Sequence, residues 1–507
     1  MADPFVLIVG SGFAGLGMAI RLKQSGIDDF VVLEQASEIG GTWRDNHYPG
    51  AACDVQSHLY SFSFEPWPEW TREFAHQREI LAYLRHCADK YGVRPHIRFN
   101  TKVTGARFDE RTGLWEVTAG DGAPIQARVL IPGCGPLSKP QLPDIPGLAS
   151  FQGKTFHSAR WDDTFSLEGK DVAVIGTGAS AVQIVPEIAP RVRRLSVFQR
   201  TAPWLLPKPD GPIPSWKRAL FRRAPLAQKL ARRRIYWTRE LLAVGFVVEP
   251  RVMRLVERVG RRFLRKHVGD PALRARLTPE YTMGCKRILP TNDYLPALQR
   301  ANVEVVTQGI AQVRAHSILT QDGQERRLDA LILATGFEAA EAAAPFDVRG
   351  RGGLSLDAAW REGAEAYLGT TVTGFPNLFL LVGPNTGLGH SSMVFIIESQ
   401  LAYVLSAIER MRALQLRSVE VRPEVQAAYN ARLQARLAKT VWATGCRSWY
   451  LTRTGKNTTV WPGFTVEYRW RTRRFDRDAY DEQRLDQPSK SAQAPPITTS
   501  SRSLTFT

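Results

Sequence analysis

Two glycine fingerprints constrain the fold of this chain more than any other feature. The first is Gly10-Ser11-Gly12-Phe13-Ala14-Gly15, and the second is Gly176-Thr177-Gly178-Ala179-Ser180-Ala181. Each follows an apolar run (FVLIV and DVAVI) and opens a segment with the apolar spacing of a helix. Glycines at these positions permit a tight turn and close approach of a pyrophosphate, which then lies at a helix N-terminus. The sequence therefore predicts two Rossmann-type units on one chain, each binding a dinucleotide.

The residues 24 positions after each first glycine differ in charge. Glu34 follows Gly10 at this offset, whereas Arg200 follows Gly176. A carboxylate accepts hydrogen bonds from ribose hydroxyls and repels a 2′-phosphate, while a guanidinium suits a 2′-phosphate. We therefore expect FAD at the first unit and NADPH at the second, the pairing of a flavin enzyme that accepts hydride from a nicotinamide.

Length and cysteine content limit the class further. A chain of 507 residues is too long to fold around a single hydrophobic core, so two or three domains are expected. The five cysteines are odd in number and form no CxxC pair, which argues against a disulfide framework and favours a reducing compartment. A strand begins almost at the N-terminus and no apolar run reaches the roughly 18 residues of a membrane span. We expect a cytoplasmic protein without a metal ion.

Positive charge is concentrated in one stretch. The chain carries +18 overall, and Lys217–Arg276 holds 18 Lys or Arg against 4 Asp or Glu, a net +14. One interpretation is a solvated helical insertion with its polar face outward. The other is a surface that meets anionic lipid or steers NADPH. No nucleic-acid-binding motif accompanies the charge, so no nucleic-acid partner is expected.

The stretch between the fingerprints identifies a family. Residues 151–162 read FQGKTFHSARWD, the FxGxxxHxxxWD pattern of type I Baeyer–Villiger monooxygenases, and the resemblance extends from the first strand to about Asp481. Trp161 separates this family from related N- and S-oxidising flavin monooxygenases, which carry Tyr or Phe there. Residues 446–475 resemble the branch that contains hydroxyacetophenone monooxygenases. Where the family has Ala-Thr-Gly, this chain has Gly133-Cys134-Gly135, which makes the local packing less predictable.

The resemblance implies a reaction and a catalytic pair. Members reduce FAD with NADPH and insert one atom of O2 next to a ketone carbonyl through a C4a-peroxyflavin, giving an ester or lactone. The family's active-site arginine follows a lysine in a G-x-K-R segment, which matches Gly284-Cys285-Lys286-Arg287. Arg287 is thus the expected oxyanion donor, since arginine stays protonated and offers several donors. Asp54 matches the acid beside that arginine.

Further residues are expected to contact the cofactors. Trp449 and Met393 match family positions beside the nicotinamide and the substrate, and Lys286 could add a second charge at the 2′-phosphate. His390 and the linker residues His157 and Trp161 are interpreted as packing or domain-coupling residues. The predicted cofactor site comprises Gly10, Gly12, Phe13, Ala14, Gly15, Glu34, Gln35, Gly41, Thr42, Trp43, Asp54, Tyr60, Gly176, Thr177, Gly178, Ser180, Gln183, Arg200, Thr201, Lys286, Gly336, Met393 and Trp449.

The predicted fold is α/β, with two Rossmann-type domains for FAD and NADPH and a helical insertion in the NADPH domain. The predicted boundaries are 1–149 and 370–485 for FAD, 150–206 and 284–369 for NADPH, 207–283 for the insertion and 486–507 for a disordered tail. Two alternatives stay open at this point. One is a flavin monooxygenase with mainly S- or N-oxide products. The other is an NADPH oxidase that docks on membranes and transfers no oxygen.

Overall fold

The computed structural model describes residues 3–120, 122–338, 344–446, 448–452 and 454–485. The tail predicted to be disordered, 486–507, lies outside these residues.

The first domain is built on a parallel four-stranded sheet whose order is β3-β2-β1-β7. Every residue of its three longer strands is buried, as expected for a sheet covered on both faces. The elements up to the first crossing are β1 (Val6–Val9), α1 (Phe13–Gln24), β2 (Phe30–Leu33), α2 (Thr42–Asp45), α3 (Gln77–Lys90), β3 (Ile97–Arg98), β4 (Val103–Asp109), β5 (Leu114–Ala119), β6 (Ile125–Ala127) and β7 (Val129–Pro132).

The second domain follows, with the insertion inside it. Its elements and those of the insertion are β8 (Lys154–His157), β9 (Asp171–Ile175), α4 (Ala179–Ile188), β10 (Arg194–Phe198), β11 (Leu205–Leu206), α5 (Ser215–Arg223), α6 (Pro225–Ala243), α7 (Met253–His267), α8 (Pro271–Arg276), β12 (Leu289–Pro290), α9 (Tyr294–Ala297), β13 (Val303–Val306), β14 (Ile310–Arg314), β15 (Ser317–Thr320), β16 (Glu325–Arg327) and β17 (Ala330–Leu333).

The sheet of the second domain is parallel, with the order β13-β10-β9-β17-β8. The family stretch 151–162 supplies its edge strand, β8, which pairs with β17. The Asp329 carboxylate accepts a hydrogen bond from the Asp171 amide (2.8 Å) and so joins the starts of β17 and β9. The chain thus enters and leaves this domain on neighbouring strands.

The chain returns to the first domain earlier than predicted. Strand β18 pairs with β4 of the first domain, so residue 347 already belongs there, before the predicted boundary at 369. The remaining elements are β18 (Asp347–Arg349), α10 (Leu356–Ala359), α11 (Met393–Ala413), β19 (Leu416–Val421), α12 (Pro423–Leu437), α13 (Thr465–Arg471) and β20 (Tyr480–Arg484).

The helices α5 and α6 of the insertion pack on the first domain, although the sequence places them within the second. Gln228 on α6 donates to the Trp67 carbonyl (2.7 Å), and Arg232 donates to the His58 carbonyl (2.8 Å). The interpretation of a helical insertion with its polar face outward holds only in part for α6. Gln228 and Arg232 face the protein, whereas Lys229, Arg233 and Arg234 are exposed. No helix among the described residues has the length and apolar content to cross a bilayer.

One cross-link corrects the argument drawn from the cysteines. Cys285 and Cys446 form a disulfide with a Cα–Cα distance of 6.2 Å, across 161 residues of sequence. Cys53, Cys87 and Cys134 are free. An odd number of cysteines without a CxxC motif does not exclude a single long-range disulfide. Which cysteines pair depends on tertiary contacts that the sequence pattern does not show.

Candidate active site

The two domains enclose a cavity of about 1710 Å³. Such a volume exceeds the roughly 300–1,000 Å³ of an ordinary single-ligand site and suits two large ligands. Every residue predicted for the cofactor or catalytic site lines it, except Gly15.

Gly15 has a packing role instead. A Cβ atom at this position would collide with the Gly10 carbonyl, so the third glycine lets α1 lie close to the turn after β1. Gly10 and Gly176 both have left-handed backbone angles, with φ of 97° and 115°. No side chain caps the N-termini of α1 and α4, which leaves their amide groups available to a pyrophosphate.

Glu34 is buried at the end of β2, against the first fingerprint. One oxygen accepts from the amide (2.9 Å) and the hydroxyl (2.7 Å) of Ser11, and the other accepts from the Ala36 amide (3.0 Å). Arg44 forms an ion pair with it at 3.1 Å. Because both oxygens already have protein donors, the contact of Glu34 with a ribose stays a prediction.

Aromatic side chains form the wall beside the first fingerprint. The Trp43 indole donates to the Tyr60 hydroxyl (3.1 Å), and the Tyr60 ring packs edge-on against Phe13 (5.2 Å between centroids). Trp43 lies in α2, directly after Gly41 and Thr42. These contacts hold both predicted aromatic residues at the cavity surface.

Gln183 of α4 connects the two domains. Its amide donates to the Ala52 carbonyl (2.9 Å), and its carbonyl accepts from the Tyr48 hydroxyl (3.0 Å). Tyr48 was not among the predicted residues. Nothing in its local sequence marks it as a partner of a residue 135 positions away.

Arg287 and Asp54 meet at the cavity wall. Arg287 donates from Nε to Oδ2 and from Nη2 to Oδ1, each at 2.7 Å. Both side chains are partly exposed to the cavity, at 32% and 23%. The Asp54 charge raises the pKa of Arg287 further above its ordinary value. Burial alone would raise the pKa of Asp54, but the charge and hydrogen bonds of Arg287 and the charge of Arg239 together outweigh it and hold that pKa below the usual range. The pair is thus a fixed cation and a fixed anion.

A second arginine reaches this pair from the insertion. Arg239 on α6 donates to the Asp54 carbonyl (3.3 Å) and to Gln56 Oε1 (2.9 Å). Burial lowers the pKa of Arg239, and the Asp54 charge opposes that effect. The sequence analysis missed Arg239, because it lies among many basic residues of the insertion and only the fold selects it.

Arg200 and Lys286 form a cationic corner of the cavity. Both side chains line the cavity, and burial, followed by the charge of Arg200, lowers the pKa of Lys286. Lys286 Nζ lies 4.8 Å from the centroid of the Tyr281 ring. Among the described residues, neither cation forms an ion pair with a carboxylate. Thr201 beside Arg200 accepts through its carbonyl from the Thr177 hydroxyl (3.0 Å).

The segment after Cys446 closes another side of the cavity. Trp449 is 44% exposed and packs against the buried Tyr450, with 4.6 Å between ring centroids. The charge of Tyr450 also raises the pKa of Arg287, after the larger effect of Asp54. Met393 is the first residue of α11 and lines the cavity.

His390 and His157 take structural positions. His390 is buried and lies 3.6 Å from Glu240 of α6, between their Nε2 and Oε2 atoms. His157 Nδ1 accepts from the Ala159 amide (3.1 Å) and caps the turn after β8. Trp161 packs edge-on against Phe156 (4.9 Å). Within the described part of the chain, none of these three side chains contacts Arg287.

The fold and site define a class, a two-dinucleotide oxidoreductase. Residues 7–223 match the family model described as pyridine nucleotide-disulphide oxidoreductase. A Baeyer–Villiger monooxygenase of Pseudomonas aeruginosa is 52% identical over 477 residues, which cover 94% of this chain and 90% of the relative. One of Streptomyces coelicolor is 49% identical and covers 94% and 92%. This chain belongs to the Baeyer–Villiger monooxygenases.

Solved structures agree with this assignment. An oxidised steroid monooxygenase bound to NADP is 31% identical, covers 95% of this chain and 100% of its own, and superposes with a TM-score of 0.84. A closed cyclohexanone monooxygenase is 27% identical, covers 94% and 99%, and gives a TM-score of 0.85. The type I family predicted from residues 151–162 is confirmed.

The cavity fits the cofactors of this family. Besides the two uncapped helix N-termini, the hydroxyls of Ser391, Thr458 and Thr459 line it without a hydrogen-bond partner among the described residues. The protein is an FAD- and NADPH-dependent flavin monooxygenase that inserts one oxygen atom from O2 next to a ketone carbonyl. The bound cofactors supply the electrons and carry the oxygen that is transferred.

Proposed function

We propose that Arg287 is the catalytic donor of this monooxygenase and that Asp54 positions it. The observation that carries the proposal is the two-bond ion pair on the wall of the cavity that both fingerprints share. Asp54 accepts hydrogen bonds from two of the arginine nitrogens, Nε and Nη2. Nη1 makes no hydrogen bond within the described part of the chain and is left to act on a substrate.

The chemistry that this pair performs is stabilisation of negative charge. When a ketone is attacked at its carbonyl carbon, its oxygen gains charge, and a fixed donor beside it lowers the barrier. Arg287 supplies that donor without a proton-transfer step, because its raised pKa keeps it charged. Asp54 prevents the guanidinium from rotating, so the donor is in place before the substrate arrives.

We also propose that Arg200 and Lys286 bind the 2′-phosphate of NADPH and that Trp449 contacts its nicotinamide half. Two neighbouring cations without a carboxylate partner suit a dianionic phosphate. Bound NADP+ would then lie beside Arg287, next to Lys286 in sequence, and exclude water from the reacting atoms.

The substrate we propose is a small ketone, in agreement with the likeness of residues 446–475 to the hydroxyacetophenone branch. We propose a cytoplasmic enzyme that associates peripherally with membranes through its basic insertion.

The test of the catalytic pair is Arg287→Ala. The variant should bind FAD and be reduced by NADPH, because both fingerprints are intact. Ester or lactone formation should fall by about 10²–10³, the usual cost of removing one oxyanion donor. Oxygen that is consumed should appear as H2O2. The measurements are stopped-flow reduction and product analysis with a ketone that the wild type converts.

Asp54→Ala should show the same pattern in a milder form, since Asp54 acts through the arginine. Ketone oxygenation by Arg287→Ala at near the wild-type rate would refute the assignment of the active site.

A further inference from the structure

Helix α6 presents a row of large apolar side chains to solvent. Leu226, Leu230, Trp237 and Leu241 recur at intervals of four and seven residues and therefore share one face. They are 68%, 56%, 50% and 69% exposed. We call these four residues the outer stripe.

The opposite face of α6 carries the polar side chains that bind the protein. Arg239 and Gln228 make the contacts described above. Glu240 is 2% exposed and accepts from the Thr465 hydroxyl (2.7 Å) and the Val466 amide (3.2 Å). The helix is thus held by these hydrogen bonds and by the packing of Ile235 and Tyr236 against the core, where the Tyr236 ring stacks on Phe395 (4.8 Å). The four residues of the outer stripe take no part in that attachment.

The exposed apolar residues of the chain are concentrated in the insertion that contains the outer stripe. Of the 17 large hydrophobic residues that are exposed in the described chain, 11 lie between Trp216 and Val259. Val466 and Trp470 on α13, 44% and 64% exposed, extend the surface beside Glu240. Single exposed apolar residues are ordinary, but a concentration of this kind marks a binding surface.

The charges on this surface are mainly positive, with Glu249 as an exposed acid between α6 and α7. Arg233 and Arg234 are exposed and lie among the residues of the outer stripe. The only carboxylates of α6 and α7 are Glu240 and Glu257, and both accept hydrogen bonds from backbone amides. No free acid on either helix therefore offsets the arginines.

We infer that the outer stripe docks this enzyme on the surface of an anionic bilayer. Leucine and tryptophan side chains enter the boundary of headgroups and acyl chains, while Arg233 and Arg234 meet lipid phosphates. A second copy of the chain would bring two basic surfaces together and be repelled. A nucleic acid would leave the leucines without an apolar partner. This inference rests on the peripheral membrane association proposed above. It adds which surface of the enzyme binds and which class of lipid it binds, and it does not depend on the role of Arg287.

The experiment is flotation of the FAD-loaded enzyme with vesicles at about 0.15 M salt. One set contains phosphatidylcholine alone, and the other adds about 30% phosphatidylglycerol. The wild type should bind the anionic set. The double variant Leu230→Glu/Trp237→Glu should need at least about tenfold more lipid than the wild type for half-maximal binding. The double variant Arg233→Gln/Arg234→Gln should need about tenfold more lipid than the wild type.

The matched control is Leu354→Ser, which alters an exposed leucine outside the insertion (41% exposed) and should bind as the wild type does. FAD content and ketone turnover without lipid should be equal in all variants, which shows that they are folded. Failure of the wild type to bind anionic vesicles would overturn the inference. The inference would also be overturned if the wild type formed a dimer in solution, or a complex with RNA, and the Leu230→Glu/Trp237→Glu variant did not. Near wild-type ketone turnover by Arg287→Ala, together with vesicle binding by the wild type, would count against the proposed catalytic pair alone.

Discussion

Arg287 carries one charge state throughout the working range of pH. Its pKa is raised by Asp54, and the pKa of Asp54 is held low by Arg287. A change in rate near neutral pH therefore cannot come from titration of this pair. Such a change would have to come from the cofactors, the substrate or another side chain, and the pair serves only to present a fixed donor.

Arg200 and Lys286 allow a sharper prediction about coenzyme choice. Arg200→Ala should reduce kcat/KM for NADPH by roughly 10- to 150-fold, the value of one charge-assisted contact, and should leave NADH nearly unaffected. Lys286→Ala should shift the NADPH-to-NADH ratio in the same direction. The measurement is steady-state kinetics with both coenzymes.

The control for this pair is Arg191→Ala, an exposed arginine of the same domain that lies outside the cavity and pairs with Glu168 (3.3 Å). It should leave the ratio unchanged. An unaltered ratio in Arg200→Ala would mean that another group recognises the 2′-phosphate.

At the scale of elements, α6 shows where sequence reasoning succeeds and where it stops. Apolar runs followed by glycines predict β1, α1, β9 and α4, because each signal lies within about 20 residues. The orientation of α6 depends on Gln228, Arg239 and Glu240 finding partners 161, 185 and 225 positions away. The rule that apolar residues of a helix pack inward holds for Ile235 and Tyr236 but not for the outer stripe, because hydrogen bonds to distant residues also fix the orientation of the helix.

His58 makes the attachment of α6 sensitive to acid. It is buried, and its Nδ1 lies 3.2 Å from the Gln228 amide of α6. The pKa of His58 is lowered to about 4, chiefly by burial; the charge of Glu73 opposes this effect, and the charges of Lys217 and Arg232 add to it. In the unfolded chain this group has its ordinary pKa near 6.5.

The unfolded state therefore binds more protons between these two values. The contribution of neutral His58 is complete above about pH 6.5 and is lost as the pH falls toward 4, by up to about 3 kcal/mol. His58→Asn keeps a hydrogen-bonding side chain without a titrating group. Its free energy of unfolding, measured by denaturant titration, should fall less steeply over this range than that of the wild type. Equal slopes would show that His58 is not the sensitive group.

At the scale of the whole molecule, the disulfide joins the catalytic segment to the segment that closes the cavity. Cys285 precedes Arg287 by two residues, and Cys446 precedes Trp449 by three. Sequence reasoning could not predict this pair, because only the complete fold brings residues 161 positions apart within 6.2 Å.

Removing this cross-link should cost stability. A cross-link across 161 residues restricts the unfolded chain, which typically contributes roughly 2–5 kcal/mol. Cys446→Ser should lower the free energy of unfolding by about that amount, and Cys285→Ser/Cys446→Ser should lower it no further. Thiol titration of the denatured wild type should find three free thiols of the five cysteines. Five free thiols would contradict the pairing.

The neighbouring positions at which the chain enters and leaves the second domain have a consequence for protein engineering. Pro140 and Phe337 pair across the two crossings, and the Gln141 amide donates to the Gly336 carbonyl (2.9 Å). The ends of the intervening 195 or so residues are thus one strand spacing apart, about 5 Å. A coenzyme domain from a relative could be exchanged at these two points to alter nicotinamide specificity, provided that the incoming segment keeps the contacts of α6 and Arg287 with the flavin domain.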